Sequence, residues 1–439
     1  MKRTVSVASL VAVTAVAVLG ERVSRACEKG ERETGGIRGD DMSHASRGDL
    51  RGERQRPLLG VIRWDMYTGH PYTTQKQEFG FLKPEQYHWR APFFVRRTGN
   101  PEAPLAFNPA YSQDVYQQAM EQEIEFAASA GIDYWAFGYE AHPAPGERRC
   151  LRDALDAYLA SPRRDRLHFC VIVNCPAVAK VAYYEPPRVR HTEEEIAKAW
   201  ADNYLADIAA LAKLPAYQRV LRDRPLIYLY QPEFLGEGVR RTPAPGPRVE
   251  RCLRELRGRL MQARVGNPYV AGMINPQSKE WESLYDKGLL DCVTLYHQRY
   301  AGTNLRYGTL WGFIKSNTLF GTFKRPDLKV IPPTMSGANG VPRYKKGGAF
   351  PMWDWTEPAP GELTAHLFGA FDYVAANPAK CEANTVIMYA WNEHSEGGFL
   401  CPTMGDPPDY HPVTRQLDEL AVTLKTWLPP VLRTQPQAP

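Results

Sequence analysis

Eight short apolar runs recur along the chain from residue 57, and each run ends in polar residues. The runs are nearly continuous in apolar residues, a pattern typical of strands that are buried on both faces of a parallel sheet. Amphipathic helical patterns lie between them, so the alternation predicts strands that are each followed by a helix. The runs lie at 58–67, 132–140, 167–175, 224–233, 268–276, 289–298, 328–337 and 385–393.

The helical patterns have apolar residues every three or four positions. They lie at 114–131, 150–161, 192–214, 248–264, 361–377 and 411–428, with a weaker pattern near 303–318. Eight strands of this kind predict a single (β/α)8 barrel of the α/β class. A doubly wound open sheet is the alternative, but the count of eight disfavours it. No glycine-rich dinucleotide or phosphate loop opens any of the helical patterns, so nothing indicates a nucleotide-binding fold.

The first 26 residues are interpreted as a signal peptide. The basic start "MKRT" precedes an apolar run of about sixteen residues, which is short for a membrane span and typical of an export signal. Ser24 and Ala26 are small residues that suit a cleavage site. An uncleaved anchor and a lipoprotein modified at Cys27 are the less favoured alternatives. We therefore expect a secreted or periplasmic protein with no stable membrane span after cleavage.

Residues 27–56 are polar and charged, and we predict that they form a disordered leader. The barrel is then predicted over 57–428, with a tail over 429–439, in a protein that we expect to be a monomer. Of the formal net charge of +5, residues 1–56 supply +3, so the barrel is nearly neutral and nucleic-acid binding is disfavoured.

The chain has eight cysteines, and in an exported protein these permit disulfide bonds. Cys170, Cys175 and Cys292 lie in apolar runs and are expected to be core residues. A bridge between Cys381 and Cys401 is a hypothesis based on their positions on either side of the last run. No His–Cys spacing typical of a metal site occurs, and we predict neither a metal nor another cofactor.

Polar and aromatic side chains end all eight predicted strands. In a (β/α)8 barrel these ends gather at one face, where the active site lies. Amides and carboxylates bond sugar hydroxyl groups, and the C–H faces of a sugar stack on aromatic rings. We therefore predict a carbohydrate-binding set composed of Trp64, Asp65, Tyr67, Tyr139, Glu140, His142, Asn174, Gln231, Glu233, Asn275, Tyr296, His297, Asn339, Trp353, Trp391 and Asn392.

Structural roles remain open for several members of this set. Asn174 and Asn275 also suit turns, Tyr139 and Tyr296 also suit packing at the rim, and His297 also suits a buried site with its hydrogen bonds satisfied. Trp353 lies with Trp355 in the long aromatic insertion at 348–362, which would serve equally as a sugar platform or as an edge packed on the barrel.

The last apolar run ends in "WNEHSEGG", with Glu393 and Glu396 three residues apart. A core strand has no use for two carboxylates, whereas an active site often does. The alternative is a structural role in which the negative charges stabilise the start of a helix. The two glycines of "EGG" disfavour the start of a helix at this point. We therefore predict that Glu393 and Glu396 are catalytic.

Two stretches, "GIDYWAFGYE" and "MYAWNEHSEGGFL", resemble the glycoside hydrolase family 99-like and family 71-like barrels, which include the WbsX-like proteins of polysaccharide loci. The last-strand signature of these families reads roughly Asn-Glu-Trp-x-Glu-Gly. This chain has His394 in place of the Trp, a departure expected to alter the pocket wall. The resemblance spans residues 57–428.

The resemblance implies that Glu396 is the general acid/base on the glycosidic oxygen and that Glu393 is the base on the 2-hydroxyl group of the sugar. It thus implies a retaining glycoside hydrolase that forms a 1,2-anhydro sugar from a polysaccharide or oligosaccharide substrate, at a linkage such as an α-mannoside. The predicted signal peptide adds that the enzyme is exported. A two-carboxylate retaining mechanism with an enzyme nucleophile usually needs carboxyl groups about 5–5.5 Å apart on opposite ring faces. Assistance by the substrate relaxes that demand.

Three other readings remain open. The first is a retaining glycosidase with Glu233 as the acid and Glu393 as the nucleophile. The second is a protein without catalytic activity that binds glycans or assists polysaccharide assembly. The third is a metal-dependent hydrolase that uses Asp65, His142 and His297.

Overall fold

Eight parallel strands form the centre of the molecule, in a computed structural model that describes residues 56–67, 73–108, 115–141, 150–178, 192–235, 246–298, 302–343 and 353–433. The strands are β1 Leu58–Arg63, β2 Tyr134–Tyr139, β3 His168–Asn174, β4 Arg224–Tyr230, β5 Tyr269–Met273, β6 Cys292–Thr294, β7 Pro333–Met335 and β8 Thr385–Tyr389. The predicted signal peptide and all of the predicted leader except Arg56 lie outside the described residues, as do residues 434–439 of the tail.

The strands follow the order β7-β8-β1-β2-β3-β4-β5-β6, and every neighbouring pair is parallel. Backbone hydrogen bonds also join β6 to the segment that leads into β7. Val293 N–H donates to the carbonyl oxygen of Lys329 at 3.0 Å, and Ile331 N–H donates to that of Val293 at 3.1 Å. The sheet therefore curls round on itself, and the predicted single (β/α)8 barrel is confirmed.

Eight helical segments follow the strands in turn. They are α1 Val115–Ala130, α2 Cys150–Ala160, α3 Glu193–Leu211, α4 Gly246–Gln262, α5 Glu280–Asp286, α6 Leu310–Thr322, α7 Glu362–Ala376 and α8 Arg415–Thr426. The central part of α3, Trp200–Leu205, and the later part of α6, Ile314–Thr322, are π-helical. No helix of the described residues is long and apolar enough to cross a membrane.

Short elements decorate the barrel. The additional helices are Thr73–Leu82 and Pro430–Arg433, and the 3-10 turns are Glu85–Arg90, Arg164–Arg166, Cys175–Ala177, Pro232–Phe234, Tyr307–Thr309, Val341–Arg343 and His394–Glu396. The additional strands form the pairs Val95–Arg97 with Leu105–Phe107, Arg219–Val220 with β4, Gly302–Leu305 with Trp353–Trp355, and Asn392–Glu393 with Gly398–Phe399.

The structure departs from the sequence prediction in two elements. The weak helical pattern near 303–318 begins as the strand Gly302–Leu305, because Trp353–Trp355 pairs with it. The helix α5 was not predicted, since its seven residues span only two turns.

The proposed bridge between Cys381 and Cys401 is wrong. Both residues are free and buried, as are the other cysteines whose side chains are described, namely Cys170, Cys175, Cys252 and Cys292. The prediction that Cys170, Cys175 and Cys292 are core residues is confirmed.

Gly60 allows a large side chain to fill the barrel interior. The Tyr134 hydroxyl lies 2.9 Å from the Tyr228 hydroxyl and 3.0 Å from Thr385 Oγ1, so it joins strands from different sides of the barrel. A Cβ atom on Gly60 would lie 2.2 Å from Cζ of Tyr134. The interior therefore leaves no room for a methyl group on β1 at this point.

We expect Gly60→Ala to lower the free energy of unfolding by about 1–3 kcal/mol, because the added methyl group overpacks the interior. Urea denaturation measures the change. Gly258→Ala is the matched control, since nothing lies within 4 Å of a Cβ there and alanine favours the helix α4 by about 1 kcal/mol. Equal stability of Gly60→Ala and wild type would contradict the packing described.

Candidate active site

Four aromatic rings form a floor at the carboxyl ends of the barrel strands. Trp64 follows β1, Tyr230 ends β4, Tyr296 follows β6 and Tyr389 ends β8. The ring centroids of Trp64 and Tyr230 lie 5.3 Å apart, those of Trp64 and Tyr296 5.2 Å, those of Tyr230 and Tyr296 5.2 Å, and those of Tyr296 and Tyr389 5.4 Å. We call these four residues the aromatic floor. It occupies the face of the barrel where active sites lie.

Glu393 and Glu396 both bond to this floor. The Tyr296 hydroxyl donates to Glu393 Oε1 at 2.8 Å, and the Tyr389 hydroxyl donates to Glu396 Oε2. The glutamates lie in a tight hairpin that turns at Gly397, where φ is +73°. A Cβ atom on Gly397 would lie 2.5 Å from the backbone nitrogen of Asn339, so glycine is needed both for the turn and for the close approach.

The Arg343 side chain joins three carboxylates at this site. Its Nη1 lies 2.6 Å from Glu396 Oε1, and its Nη2 donates to Glu78 Oε1 at 2.6 Å and lies 3.6 Å from Glu393 Oε2. Its Nε donates to the Ser395 hydroxyl at 2.7 Å. We call these five residues the Arg343 cluster. Arg343 and Glu78 were not singled out in the sequence, since neither lies at the end of an apolar run.

One guanidinium faces three carboxyl groups in this cluster, in partly or fully buried surroundings. Burial, followed by the charge of Glu396, raises the pKa of Glu393 well above its ordinary value, although Arg343 opposes the shift. Burial likewise raises the pKa of Glu78. Burial opposes the charge of Arg343, but Glu396 and Glu78 raise its pKa, so the guanidinium stays charged. The raised pKa of Glu393 therefore favours the protonated form of its carboxyl group.

His394 does not line a pocket, contrary to the sequence prediction. Its ring is fully buried, stacks on Phe399 with centroids 5.1 Å apart, and lies edge-on to Tyr67 at 5.5 Å. Burial lowers the pKa of His394 to about 3, so the imidazole is neutral. It acts as an aromatic core residue inside the hairpin that carries the two glutamates.

A buried ion-pair network lies next to the site. Arg63 donates to Asp65 at 2.9 Å, to Glu123 at 2.7 Å and to the Tyr116 hydroxyl at 2.7 Å. The guanidinium carbon of Arg63 also lies 4.5 Å from the ring centroid of Trp135, a cation–π contact. We call this set the Arg63 network.

The network holds the hairpin of the two glutamates against β1. Asn392 Nδ2 donates to Asp65 at 2.9 Å, and Asn392 Oδ1 accepts from the backbone N–H of Trp64 at 2.9 Å. Trp391 Nε1 donates to Glu123 at 2.9 Å. Asp65, Trp391 and Asn392 are buried and support the hairpin, and their contact with substrate stays a prediction. Burial, partly offset by Arg63, raises the pKa of Asp65 to about 6.

A second cluster of polar residues lies at the carboxyl ends of β2 to β5. Asn174 Nδ2 donates to Glu140 at 2.8 Å, and Glu233 Oε1 accepts from the backbone N–H of Asn275 at 2.9 Å. Glu233 is almost fully buried, and this burial raises its pKa to about 7. The preceding Gln231 has a φ of +50°, a left-handed conformation that is uncommon outside glycine.

The remaining predicted residues have varied positions. Tyr67 is buried beside the Arg343 cluster, where its hydroxyl donates to Glu78 at 3.3 Å. His297 is half-buried, with its centroid 5.5 Å from those of Tyr296 and Tyr389.

Two other predicted residues, Tyr139 and Asn339, each bond to an aspartate. The Tyr139 hydroxyl donates to Asp207 at 2.5 Å and is buried, which favours the packing role left open for it. Asn339 donates to Asp354 at 3.4 Å.

The aromatic insertion falls only partly within the described structure. Trp355 is buried against Phe313, with ring centroids 5.9 Å apart, so it offers no sugar platform. His142 and the side chain of Trp353 lie outside the described residues. Within the described ranges, no group of three or more His, Cys, Asp or Glu side chains could hold a metal ion.

The structure thus gathers Trp64, Tyr296, Glu393 and Glu396 in one place, with Tyr67 at its edge. It adds Tyr230, Tyr389, Glu78 and Arg343, which the sequence prediction missed. Tyr230 and Tyr389 were detectable in principle, because each is an aromatic residue near the end of its apolar run.

No family model matches the sequence, and no curated protein matches it. Among solved structures, the chain is similar to a glycoside hydrolase-like protein at 15% identity and a TM-score of 0.50, over 84% of this chain and 94% of that one. A GH99 endo-alpha-mannosidase from Bacteroides thetaiotaomicron matches at 13% identity and a TM-score of 0.41, over 84% and 96%. An endo-laminarinase from Formosa Hel1_33_131 matches at 10% and 0.39, over 66% and 79%. The first likeness shows a shared barrel fold.

We expect Asp65→Ala to lower the free energy of unfolding by about 3 kcal/mol, because it removes a buried partner from Arg63. Urea denaturation measures the loss. Asp202→Ala is the control, since its pair with Lys198 is exposed to solvent and contributes little to stability. A variant at Asp65 that keeps wild-type stability would show that the network does not hold the hairpin.

Glu393→Gln is expected to change how stability depends on pH. A carboxyl group whose pKa is raised on folding contributes stability that is fully present below its unfolded pKa of about 4.3 and is lost as pH rises through the folded value. Wild type should therefore lose stability between pH 5 and neutral pH or above, and Glu393→Gln should lose less. Urea denaturation across this pH range tests the difference. The exposed Glu102→Gln is the control, and parallel curves for Glu393→Gln and wild type would contradict the buried proton.

Proposed function

We propose that this protein is an exported glycoside hydrolase that cleaves a polysaccharide or oligosaccharide, and that Glu393 and Glu396 carry the reaction. The observation that carries the proposal is a pair of carboxyl groups in unlike environments at the carboxyl ends of the barrel strands. Glu393 retains a proton, whereas Glu396 is paired with Arg343 at 2.6 Å. An acid and a base side by side are what cleavage of a glycosidic bond requires. Export rests on residues 1–26, which lie outside the described structure.

The aromatic floor supports a carbohydrate as the ligand. Tyr230 and Tyr296 are half-buried, so their rings offer apolar surface at the mouth of the barrel. The C–H faces of a sugar ring pack on such surface, while its hydroxyl groups reach the carboxylates above. The likeness of "WNEHSEGG" to family 99 enzymes supports an α-mannoside-like linkage.

The proposed reaction has two steps. In the first, the acid gives its proton to the glycosidic oxygen while the base takes the proton of the sugar 2-hydroxyl group. The O2 atom attacks C1, the bond from C1 to the leaving oxygen breaks, and a 1,2-anhydro sugar results. In the second step, water gives a proton to the former acid and its oxygen attacks C1, the bond from C1 to O2 breaks, and the former base returns its proton to O2. Two inversions at C1 give net retention.

The surroundings of Glu393 and Glu396 in the site without substrate indicate which of the two is the acid. The family resemblance assigns the acid role to Glu396 and the base role to Glu393. The raised pKa of Glu393 and the ion pair of Glu396 favour the opposite assignment. Our proposal therefore takes Glu393 as the proton donor and Glu396 as the acceptor.

A specific observation favours a second candidate mechanism. Glu233 has a pKa near 7, and its Oε2 is buried without a hydrogen-bond partner. A protonated carboxyl group at the end of β4 suits the acid of a retaining glycosidase in which Glu393 is the nucleophile. The roles of Glu233 as the acid and Glu393 as the nucleophile are therefore tested together with the main proposal.

We expect wild type to release reducing ends from some member of a glycan library that includes α-mannans, and Glu393→Gln and Glu396→Gln each to lower the rate by about 10²–10⁴-fold. NMR of the fresh product should show retained anomeric configuration. Glu233→Gln is the matched variant, and it should keep most of the activity. An inverted product would exclude the anhydro-sugar route, and loss of turnover in Glu233→Gln would favour the second mechanism.

Aryl glycosides with good leaving groups separate the acid from the base. Such substrates need no protonation of the leaving oxygen, so the variant that lacks the acid keeps turnover on them and the variant that lacks the base does not. We expect this rescue in Glu393→Gln, and rescue in Glu396→Gln instead would restore the assignment implied by the resemblance. Glycan binding that is unchanged in both variants, with no hydrolysis by wild type, would indicate a binding protein.

A further inference from the structure

Glu78 is a third carboxylate of the Arg343 cluster, and the proposed reaction has no step for it. It extends from the short helix Thr73–Leu82 and is buried. Its Oε1 accepts from Arg343 Nη2 at 2.6 Å, and its Oε2 accepts from the hydroxyl groups of Ser395 and Tyr67. A buried carboxylate with this many donors is fixed in one position. Glu78 is thus part of the frame of the site.

Glu78 and Glu393 compete for the same nitrogen of Arg343. Nη2 lies 2.6 Å from Glu78 Oε1 but 3.6 Å from Glu393 Oε2. Glu78 therefore receives the hydrogen bond, and Glu393 receives only a longer ionic contact. At the other nitrogen, Nη1, Glu396 lies at 2.6 Å, and among the described residues it is the carboxyl group paired with this nitrogen.

Ser395 fixes the orientation of the guanidinium between these partners. It accepts from Arg343 Nε at 2.7 Å and donates its own hydroxyl proton to Glu78. Because the guanidinium is planar and its donors are rigidly placed, fixing Nε and Nη2 also fixes where Nη1 points. Nη1 is therefore held beside Glu396, at 2.6 Å, while Nη2 stays 3.6 Å from Glu393.

We propose that Glu78 and Arg343 are positioning residues that make the two glutamates unlike, with Arg343 held in an ion pair with Glu396 while Glu78 draws the guanidinium away from Glu393, so that Glu393 keeps its proton. This inference rests on the proposed function, because it explains how an acid and a base are maintained three residues apart. Neither Glu78 nor Arg343 takes part in breaking the glycosidic bond.

The surroundings of Glu393 agree with this arrangement. The titratable groups that face it from the neighbouring elements are Glu396, Arg343, Glu78, Tyr296, Tyr389 and Tyr67. Burial is the main cause of its raised pKa, Glu396 and Glu78 add to the rise, and Arg343 and the Tyr296 hydroxyl oppose it. Removal of Glu78 and removal of Arg343 should therefore have opposite effects on the proton of Glu393.

The test compares Glu78→Gln with Arg343→Gln. In Glu78→Gln the guanidinium is free to approach Glu393, so the limb of the pH–rate profile that reports Glu393 should move by about one unit to lower pH. In Arg343→Gln the same limb should move to higher pH by a similar amount. Arg343→Lys keeps the charge without the fork and should give a smaller shift than Arg343→Gln. Glu85→Gln, an exposed change on the neighbouring turn, is the control and should give no shift.

Infrared difference spectroscopy gives a readout that does not depend on activity. The band of a protonated carboxyl group that is missing in Glu393→Gln identifies Glu393, and its disappearance with rising pH can be followed in each variant. Opposite displacements of this titration in Glu78→Gln and Arg343→Gln support the proposal even where no glycan is hydrolysed, which separates it from the proposed function. Displacements in the same direction, or lower kcat with unmoved profiles and bands, would overturn it and leave these residues a structural role only.

Discussion

The position of the candidate site depends on a charged side chain that is buried within the barrel. Arg63 ends β1 and pairs with Asp65 and Glu123, and these two acids in turn bond Asn392 and Trp391. A buried ion pair carries a desolvation penalty that offsets much of its attraction, so such a network does more to select one arrangement than to add stability. The bonds of the network depend on one another, because Asp65 or Glu123 without its partner would be an unpaired charge in the interior. The hairpin with the two glutamates is thereby placed against β1.

The two glutamates on this hairpin differ in their contacts with Arg343, and the chemistry of the site follows from that difference. Glu393 and Glu396 are the same residue type, lie on the same hairpin and both accept a bond from a tyrosine of the aromatic floor. They differ in the distance to Arg343, which is 2.6 Å for Glu396 and 3.6 Å for Glu393. At 3.6 Å the attraction of Arg343 only partly opposes burial and the charge of Glu396, which raise the pKa of Glu393 well above its ordinary value.

The sequence predicted most of the barrel, because continuous apolar runs and helical periodicity are local properties. It failed where a distant segment decides the structure, as at Gly302–Leu305, which is a strand only because Trp353–Trp355 pairs with it. The same limit applies to the site. The spacing of Glu393 and Glu396 at a strand end was informative, but a carboxylate in a buried ion pair, such as Asp65, has the same appearance in sequence as one that binds a ligand. Arg343 lies in a loop without periodicity, and only the folded structure brings it to Glu78, 265 residues earlier.

The pairing of β1 with β8 has a consequence for the order in which the molecule can be completed. These strands are neighbours in the sheet, yet the bond from Asn392 to Asp65 spans 327 residues. Closing a contact between segments so distant in sequence costs more chain entropy than closing a local one, and topologies rich in such contacts fold more slowly. During synthesis β1 has one edge unpaired until β8 has been made, and the hairpin with the two glutamates follows directly after β8. A ribosome-bound or truncated chain that ends before residue 385 therefore has an open sheet and neither of these carboxylates, so the site can form only in a chain that has closed its barrel.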